Sequence, residues 1–203
     1  MAIQVTVIDY KAGNLTSVVK ALRHLGAEVS VTDRPEVVAA AERIILPGVG
    51  HFAATRRLDE TGLTPAIREA IAGRVPFLGI CVGMQWLYAG STEAPNQCGL
   101  GHFPERIERF PESEEKVPHV GWNQLDPIRG SRIFAGVEKG EFAYFTHSWR
   151  APITEFTAAV TQYIQPFASA VEDKNVFGLQ FHPEKSGESG LKILRNFLEF
   201  RPC

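Results

Sequence analysis

The sequence lacks the features that mark several large classes of protein. Its 203 residues carry 21 basic and 23 acidic side chains, with no run of lysine or arginine that could follow a phosphate backbone. No apolar stretch approaches the roughly 18 residues that suggest a membrane span. The N-terminal segment is too short and polar for a secretion signal. We therefore expect a soluble, cytoplasmic protein that binds neither nucleic acid nor a membrane.

Cysteine is also scarce. The three cysteines, Cys81, Cys98 and Cys203, are an odd number, and no two of them have the C-x-x-C spacing of a metal site. This composition argues against a disulfide framework and fits a reducing compartment. We expect no metal.

What the sequence does contain is a regular alternation of apolar strands with helices over its first 80 residues. Strands are predicted at 3–8, 27–32, 43–46 and 75–80, and helices at 15–25, at 35–41 and in the segment that ends near residue 72. The alternation predicts right-handed β-α-β units. It therefore predicts a doubly wound α/β fold, with helices on both faces of a mainly parallel sheet.

The second half of the chain has shorter strands separated by turns. They are predicted at 106–110, 141–146, 157–163, 167–171 and 176–181, before a closing helix at about 189–200. Such runs favour antiparallel pairing, either as an extension of the sheet or as a second sheet. Because the sequence contains neither a linker nor a repeat, we expect one domain over residues 1–203.

Cys81 lies between two glycines in the segment FLGICVGMQ, residues 77–85. The pattern Gly79-x-Cys81-x-Gly83, after a strand and before a helix, matches the nucleophile elbow, in which the glycines leave room for a sharp turn. The N-terminus of the following helix favours a thiolate. A buried cysteine in a helix-capping turn is the alternative that this segment leaves open.

The segment FGLQFHPEKS, residues 177–186, offers a base for such a nucleophile. His182 and Glu184 stand at i and i+2, and Pro183 between them favours extended backbone before it, so both side chains are expected on the same side. Glu184 could then orient the imidazole of His182. Taken alone, the segment is also compatible with a strand-ending turn and a surface ion pair.

The segment PGVG, residues 47–50, follows a strand and offers backbone amides at the same edge of the sheet. The N–H groups of Val49 and Gly50, with that of Val82 next to the nucleophile, are candidates for an oxyanion hole. A loop with two glycines can rotate its peptide plane. A simple strand-to-helix turn is the alternative.

In their order along the chain, PGVG, GICVGMQ and QFHPE resemble the class I, or triad, glutamine amidotransferases, and the resemblance covers essentially the full length. The order nucleophile, histidine, acid also differs from that of ordinary α/β hydrolases. The segments PHVGWN, YFTHSWR and HPEKSG make the chain similar, within that class, to the glutaminase subunits of imidazole glycerol phosphate synthase.

This resemblance implies a chemistry for the site. Cys81 would attack the side-chain amide of L-glutamine, His182 would pass a proton to the leaving ammonia and then activate water, and Glu184 would orient His182. A cysteinyl thioester would form and hydrolyse to L-glutamate, without a cofactor. The residues implied in substrate binding are Gln85, Ser148 and Trp149.

The resemblance also implies a partner, a cyclase subunit with a (β/α)8 barrel. That subunit would use the ammonia to make imidazole glycerol phosphate and aminoimidazole carboxamide ribotide, for histidine biosynthesis. The residues that match partner-facing positions are Asn14, His119, Trp122, Asn123 and Lys185. Taken alone, Trp122 would be assigned to the core. We expect the isolated chain to be a poor glutaminase whose Val49 N–H points away from the oxyanion until the partner binds.

Three alternatives stay open on the sequence. One is an amidotransferase subunit that serves another synthase, such as one for anthranilate, aminodeoxychorismate or pyridoxal phosphate. Another is a cysteine hydrolase of the dienelactone type, which would need an orienting carboxylate between Cys81 and His182 in the chain. The third is a noncatalytic scaffold on the same fold, although such proteins usually lack the nucleophile or the histidine.

Overall fold

The computed structural model describes residues 2–13 and 15–202. Its strands, in chain order, are β1 (Gln4–Ile8), β2 (Glu28–Thr32), β3 (Ile44–Gly48), β4 (Phe77–Cys81), β5 (Tyr88–Ser91), β6 (Phe103–Arg109), β7 (His119–Gln124), β8 (Asp126–Pro127), β9 (Phe142–His147), β10 (Trp149–Arg150), β11 (Thr157–Tyr163), β12 (Gln165–Asp173) and β13 (Val176–Leu179). Its helices are α1 (Leu15–His24), α2 (Pro35–Ala39), α3 (Arg56–Glu60), α4 (Leu63–Ala72), α5 (Val82–Trp86) and α6 (Gly187–Glu199). No helix within the described ranges has the length and apolar character needed to cross a membrane.

An eight-stranded sheet, ordered β2-β1-β3-β4-β13-β12-β11-β8, forms the centre of the structure. The strands from β2 to β13 in this order pair in parallel. The strands from β12 to β8 pair antiparallel with their neighbours. The predicted α/β fold, with a mainly parallel sheet and an antiparallel extension in the second half of the chain, is therefore confirmed.

The central strands β3 and β4 are buried along their whole length, and their alternate residues face opposite cores. In β4, Leu78 and Ile80 belong to the same core as Leu22 of α1 and Phe197 of α6. Phe77 belongs to the core on the other face, which also contains residues of α2 and α4. Burial on both faces explains why these strands are continuous apolar runs in the sequence.

The topology brings the ends of three parallel strands to one edge of the sheet. Gly48 at the end of β3 pairs with Cys81 at the end of β4, and Leu179 of β13 pairs with Ile80 of β4. From Leu179 the chain continues directly to His182. Ligands of open α/β sheets bind beyond the carboxyl ends of the strands. The segments expected to carry the chemistry therefore lie together.

Two smaller sheets lie outside the central one, ordered β10-β6-β5 and β7-β9. The sequence did not predict β5 or β7. In β7, Gly121 has a φ of 135°, and the strand owes its form to antiparallel pairing with β9 rather than to an apolar pattern of its own. Trp122 in this strand is 56% exposed, so the alternative that assigned it to the core is wrong.

The predicted helical region before residue 72 also differs in detail. It consists of a 3-10 turn (Phe52–Thr55) followed by α3 and α4. The break between the two helices coincides with Gly62, which has a φ of 74° and precedes α4. A left-handed residue cannot continue an α-helix, which explains the interruption.

Candidate active site

Cys81 ends β4 and immediately precedes α5, at a strained turn. Its φ of 55° and ψ of −110° lie outside the regions that residues with a side chain normally adopt. A β-carbon on Gly79 would lie 2.4 Å from the carbonyl oxygen of Gly83, and one on Gly83 would lie 1.9 Å from that of Leu46. Only glycine fits at either position. The two glycines therefore permit the close packing of turn, helix and sheet that a nucleophile elbow requires.

His182 and Glu184 form a buried pair at the same edge of the sheet. The Nδ1–H of His182 donates to Oε1 of Glu184 at 2.9 Å, and both side chains are 2% exposed. His182 has the expected extended backbone, with a φ of −98° and a ψ of 96°, but the residues that follow it are not extended. Pro183 opens a 3-10 turn (Pro183–Lys185), and this turn, rather than a strand, carries the carboxylate to the ring. The dienelactone alternative needed a carboxylate from elsewhere in the chain, and this contact argues against it.

The surroundings of His182 set its charge. Burial alone would lower the pKa of the imidazole, but the interactions with Cys81 and Glu184 raise that pKa to about 9. Among the described residues, no group meets ordinary hydrogen-bond geometry with Nε2 of His182. At neutral pH the ring is therefore an imidazolium that is held by Glu184 through Nδ1 and interacts electrostatically with Cys81.

A cavity of about 290 Å³ opens at this edge. Its lining includes eight of the residues singled out from the sequence: Val49, Gly50, Cys81, Val82, Gln85, Ser148, Trp149 and His182. Glu184 stands behind His182. The arrangement places a thiol, an imidazole and several backbone amides around one space. Within the described ranges, no group of three or more His, Cys, Asp or Glu side chains is placed to hold a metal ion.

The amide of Val49 is engaged outside this cavity. Its N–H donates to the carbonyl oxygen of Ala12 at 3.2 Å. Gly50, the next residue, has a φ of 92°. The residues expected to form the oxyanion hole therefore line the cavity, but one of the three donors already has an acceptor in the protein.

Gln85 lies one turn beyond Cys81 and is 3% exposed. Its amide nitrogen donates to the carbonyl oxygen of Trp149 at 3.2 Å and to Oε1 of Gln180 at 3.1 Å. Both donor hydrogens are thereby used within the protein, and the side-chain oxygen of Gln85 is the atom left for a substrate. The peptide unit of Ser148 is also fixed, because its carbonyl oxygen accepts from the backbone N–H of Phe110 at 3.0 Å.

Several polar residues of the site were not among the predicted ones, and Glu93, His147 and Gln180 are three of them. Glu93 and His147 line the cavity, and Oε2 of Glu93 accepts from the backbone N–H of Phe52 at 2.7 Å. The amide of Gln180 lies 3.8 Å from the sulfur of Cys81. His147 and Gln180 belong to the segments YFTHSWR and QFHPE, so their motifs could have indicated them. Glu93 follows the unpredicted strand β5, and no local pattern marks it.

The residues predicted to face a partner differ in exposure. Trp122 and Lys185 are exposed and Asn123 is half-buried, whereas Asn14 lies outside the described residues. The prediction for His119 needs correction. His119 is 3% exposed and its ring is stacked on Phe145 and Tyr163, so direct contact of this ring with a partner is blocked by its neighbours.

Comparisons with known proteins point to one family. The family Glutamine amidotransferase class-I matches residues 6–200. Imidazole glycerol phosphate synthase subunit HisH of Bacteroides fragilis is 47% identical over 199 residues, which cover 97% of this chain and 99% of the relative. The subunit of the same name from Archaeoglobus fulgidus is 45% identical, covering 96% of this chain and 97% of the relative. A crystal structure of a glutamine amidotransferase has a TM-score of 0.76 at 21% identity, covering 96% of this chain and 97% of that one.

Proposed function

This chain belongs to the class-I glutamine amidotransferase family, and we propose on that premise that it is the glutaminase subunit of an imidazole glycerol phosphate synthase. It hydrolyses L-glutamine to L-glutamate and ammonia. The observation that carries the proposal is the meeting of Cys81 and the His182–Glu184 pair at one cavity. A noncatalytic scaffold would have no need of a strained cysteine beside an imidazolium.

The proposed reaction begins with attack by the sulfur of Cys81 on the side-chain carbonyl carbon of glutamine. A carbon–sulfur bond forms and the carbonyl oxygen becomes an oxyanion. The oxyanion then collapses as the carbon–nitrogen bond breaks, and the imidazolium of His182 gives its proton to the leaving nitrogen, which departs as ammonia. Neutral His182 next takes a proton from water, the hydroxide attacks the thioester, and L-glutamate leaves as Cys81 is restored.

Substrate recognition follows from the lining of the cavity. Glu93 supplies a carboxylate, the group that suits the α-ammonium of an amino acid. The side-chain oxygen of Gln85 and the backbone of Ser148 and Trp149 supply further hydrogen-bonding groups. These groups would hold the amino-acid end of glutamine, while its amide reaches Cys81.

We propose that the Val49 amide makes the isolated chain a slow glutaminase. Its N–H is bonded to Ala12, so it cannot stabilise an oxyanion in this arrangement. Loss of one oxyanion donor typically costs about 10²- to 10³-fold in rate. Binding of the partner would favour a rotated peptide in which the Val49 N–H faces the oxyanion.

The proposed docking surface is an exposed apolar patch on the β7–β9 ribbon, formed by Val120, Trp122, Phe142 and Tyr144. The first three of these residues are 57%, 56% and 50% exposed. The indole of Trp122 lies edge-on to the ring of Tyr144, with centroids 6.1 Å apart. The ammonium of Lys185 lies 5.8 Å from the Tyr144 ring centre. Exposed apolar area with aromatic anchors is typical of an interface core, and we propose a cyclase subunit with a (β/α)8 barrel as the occupant.

The test is glutamate release by the chain alone and with a cyclase barrel subunit. We expect slow turnover alone, faster turnover in the complex, and none in either case after Cys81→Ala. Cys98→Ala is the matched control, because Cys98 is also a free cysteine but is exposed; it should leave the rate unchanged. Glutaminase activity that survives Cys81→Ala would refute the mechanism, and an equal rate with and without the barrel would refute the proposed activation.

A further inference from the structure

Gln180 lies between β13 and His182 and has no part in the chemistry described so far. Its side chain is fully buried, and its amide nitrogen lies 3.8 Å from the sulfur of Cys81, within range for a hydrogen bond to sulfur. Its backbone N–H donates to the carbonyl oxygen of Ser169 at 2.9 Å, which fixes the residue on β12. We propose that Gln180 is a further catalytic residue, whose side-chain amide donates a hydrogen bond to the Cys81 thiolate. This inference rests on the proposed role of Cys81 as nucleophile.

The orientation of the Gln180 amide is set by its neighbours. An amide could present either its nitrogen or its oxygen to the sulfur. The carbonyl oxygen of Trp149 can only accept, so Gln85 must turn its nitrogen toward it. That same nitrogen donates to Oε1 of Gln180. The oxygen of Gln180 is thus occupied, and its nitrogen faces Cys81.

A second series of hydrogen bonds fixes the Trp149 carbonyl from the other side. Nδ1 of His147 lies 2.8 Å from that oxygen and must donate to it. Nε2 of His147 therefore accepts from Nδ1 of His119, 3.0 Å away. Nε2 of His119 in turn accepts from the amide of Asn123 at 3.2 Å. Both imidazoles must be neutral for this arrangement to exist. Burial does lower the pKa of His119 to about 4 and that of His147 to about 3.

The hydrogen bond from Gln180 would stabilise the buried thiolate of Cys81. Cys81 is 3% exposed, so water cannot solvate its negative charge fully. A donor that points at the sulfur favours the charged form over the neutral thiol. Hydrogen bonds to charged groups are strong enough for removal of this donor to lower kcat by about tenfold or more. Gln85, His147 and His119 act through Gln180 as positioning residues.

The experiment compares the pH dependence of iodoacetamide alkylation at Cys81, followed by peptide mass spectrometry, in the wild-type chain and in Gln180→Met. Methionine keeps the length of the side chain but removes the donor. We expect the alkylation midpoint to move to higher pH and kcat for glutamine in the complex to fall by about tenfold or more, with a smaller change in KM. Gln97→Met is the matched control. Gln97 is also buried, but its amide bonds Asp59 and the carbonyl oxygen of Cys98, away from Cys81, so both measurements should match the wild type.

An unchanged alkylation profile and kcat in folded Gln180→Met would overturn the inference. Gln180→Glu covers the case in which that variant does not fold. It keeps the shape and the acceptor for Gln85 but puts an oxygen against the sulfur, and we expect a larger upward shift; no shift would count against the donor. Failure of the proposed function is read separately, from glutaminase activity that persists in Cys81→Ala.

Discussion

Two turns line the candidate active-site cavity, the one that carries Cys81 and the one that carries Val49. They follow adjacent strands whose last residues pair, Gly48 with Cys81. At Gly79, Gly83 and Gly48 a β-carbon would approach another atom within 2.4 Å, whereas at Gly50 it would meet no atom of the described residues within 4 Å. The proposed nucleophile, Cys81, is therefore held in place by close packing, whereas the backbone after Gly48 has more room. The turn that carries Cys81 is thus the packed half of the site, and its geometry is set by the fold. The turn that carries Val49 is the adjustable half, and its geometry depends on what binds beside it.

Replacing a glycine in the packed half should lower the stability of the protein strongly. Gly83→Ala places a β-carbon against the backbone of Leu46, and we expect a loss of about 3 kcal/mol or more in the free energy of unfolding. Urea unfolding followed by circular dichroism measures this loss. Gly101→Ala is the control, since Gly101 has a φ of 71° but a β-carbon there would meet no atom within 4 Å in the part of the chain that the structure describes. It should cost only about 1–2 kcal/mol. Equal costs at both positions would contradict close packing at the elbow.

Chemistry in the packed half should depend strongly on Glu184. The pKa of His182 is raised to about 9, so the ring carries its proton below that pH and loses it as the pH rises further. We expect kcat/KM to fall along an alkaline limb near pH 9. Glu184→Gln removes one interaction that raises this pKa, so the limb should move to lower pH.

The rate of Glu184→Gln should also drop, by about 10²- to 10⁴-fold, because the ring loses its orienting carboxylate. The pH profile of glutamate release in the complex measures both effects. Exposed Glu188 on the neighbouring helix provides the control, as Glu188→Gln. An alkaline limb that stays in place would exclude Glu184 as the partner of the ring.

The adjustable half should be sensitive to the partner. Trp122→Ala removes the aromatic anchor of the apolar patch, and we expect the dissociation constant for the cyclase barrel to rise by about 30-fold, which corresponds to about 2 kcal/mol. Stimulation of glutaminase activity as the barrel concentration increases gives this constant. Val31→Ala changes an exposed apolar residue on β2, at the far end of the sheet order. If both variants bound equally well, the patch would not be the docking surface.

The smallest effect is expected within the Val49 loop itself. Gly50→Ala keeps every backbone donor but disfavours the φ of 92° seen at this position, by about 1–2 kcal/mol. The resting arrangement should therefore become less populated, and glutamine hydrolysis by the isolated chain should rise by roughly fivefold or more. Gly140, with a φ of 91° in a distant turn, is matched in conformation. Gly140→Ala should not raise the rate. A Gly50→Ala variant slower than wild type would contradict the proposed rotation of the Val49 peptide.

Features that depend on local sequence could be predicted. The turn at Cys81 was predictable because its requirement is local: a strand, two glycines and a following helix specify it. The parallel sheet was predictable because burial on both faces leaves continuous apolar runs. The pairing of His182 with Glu184 was expected, but not the 3-10 turn that achieves it.

Other features depend on neighbours that are distant in the chain. The contact of Gln180 with Cys81 and the burial of His119 arise from strands that meet only after folding. Strand β7 has no apolar pattern of its own, since its form comes from β9. The bond from Val49 to Ala12 joins two loops, and a glycine-containing segment is compatible with more than one orientation of that peptide. Local sequence patterns therefore predicted the turn that carries Cys81, but they did not determine the orientation of the Val49 peptide.

The depth of the sulfur has one more consequence, for the fate of the released nitrogen. Because Cys81 is almost inaccessible to solvent, ammonia is released in surroundings that solvate a cation poorly. The neutral form of ammonia is favoured there. Only the neutral molecule has the lone pair that a synthase can use. Ammonia released from glutamine at this site is not first protonated by the solvent. Ammonium salts are mostly protonated near neutral pH, so they should be a poor substitute for glutamine there.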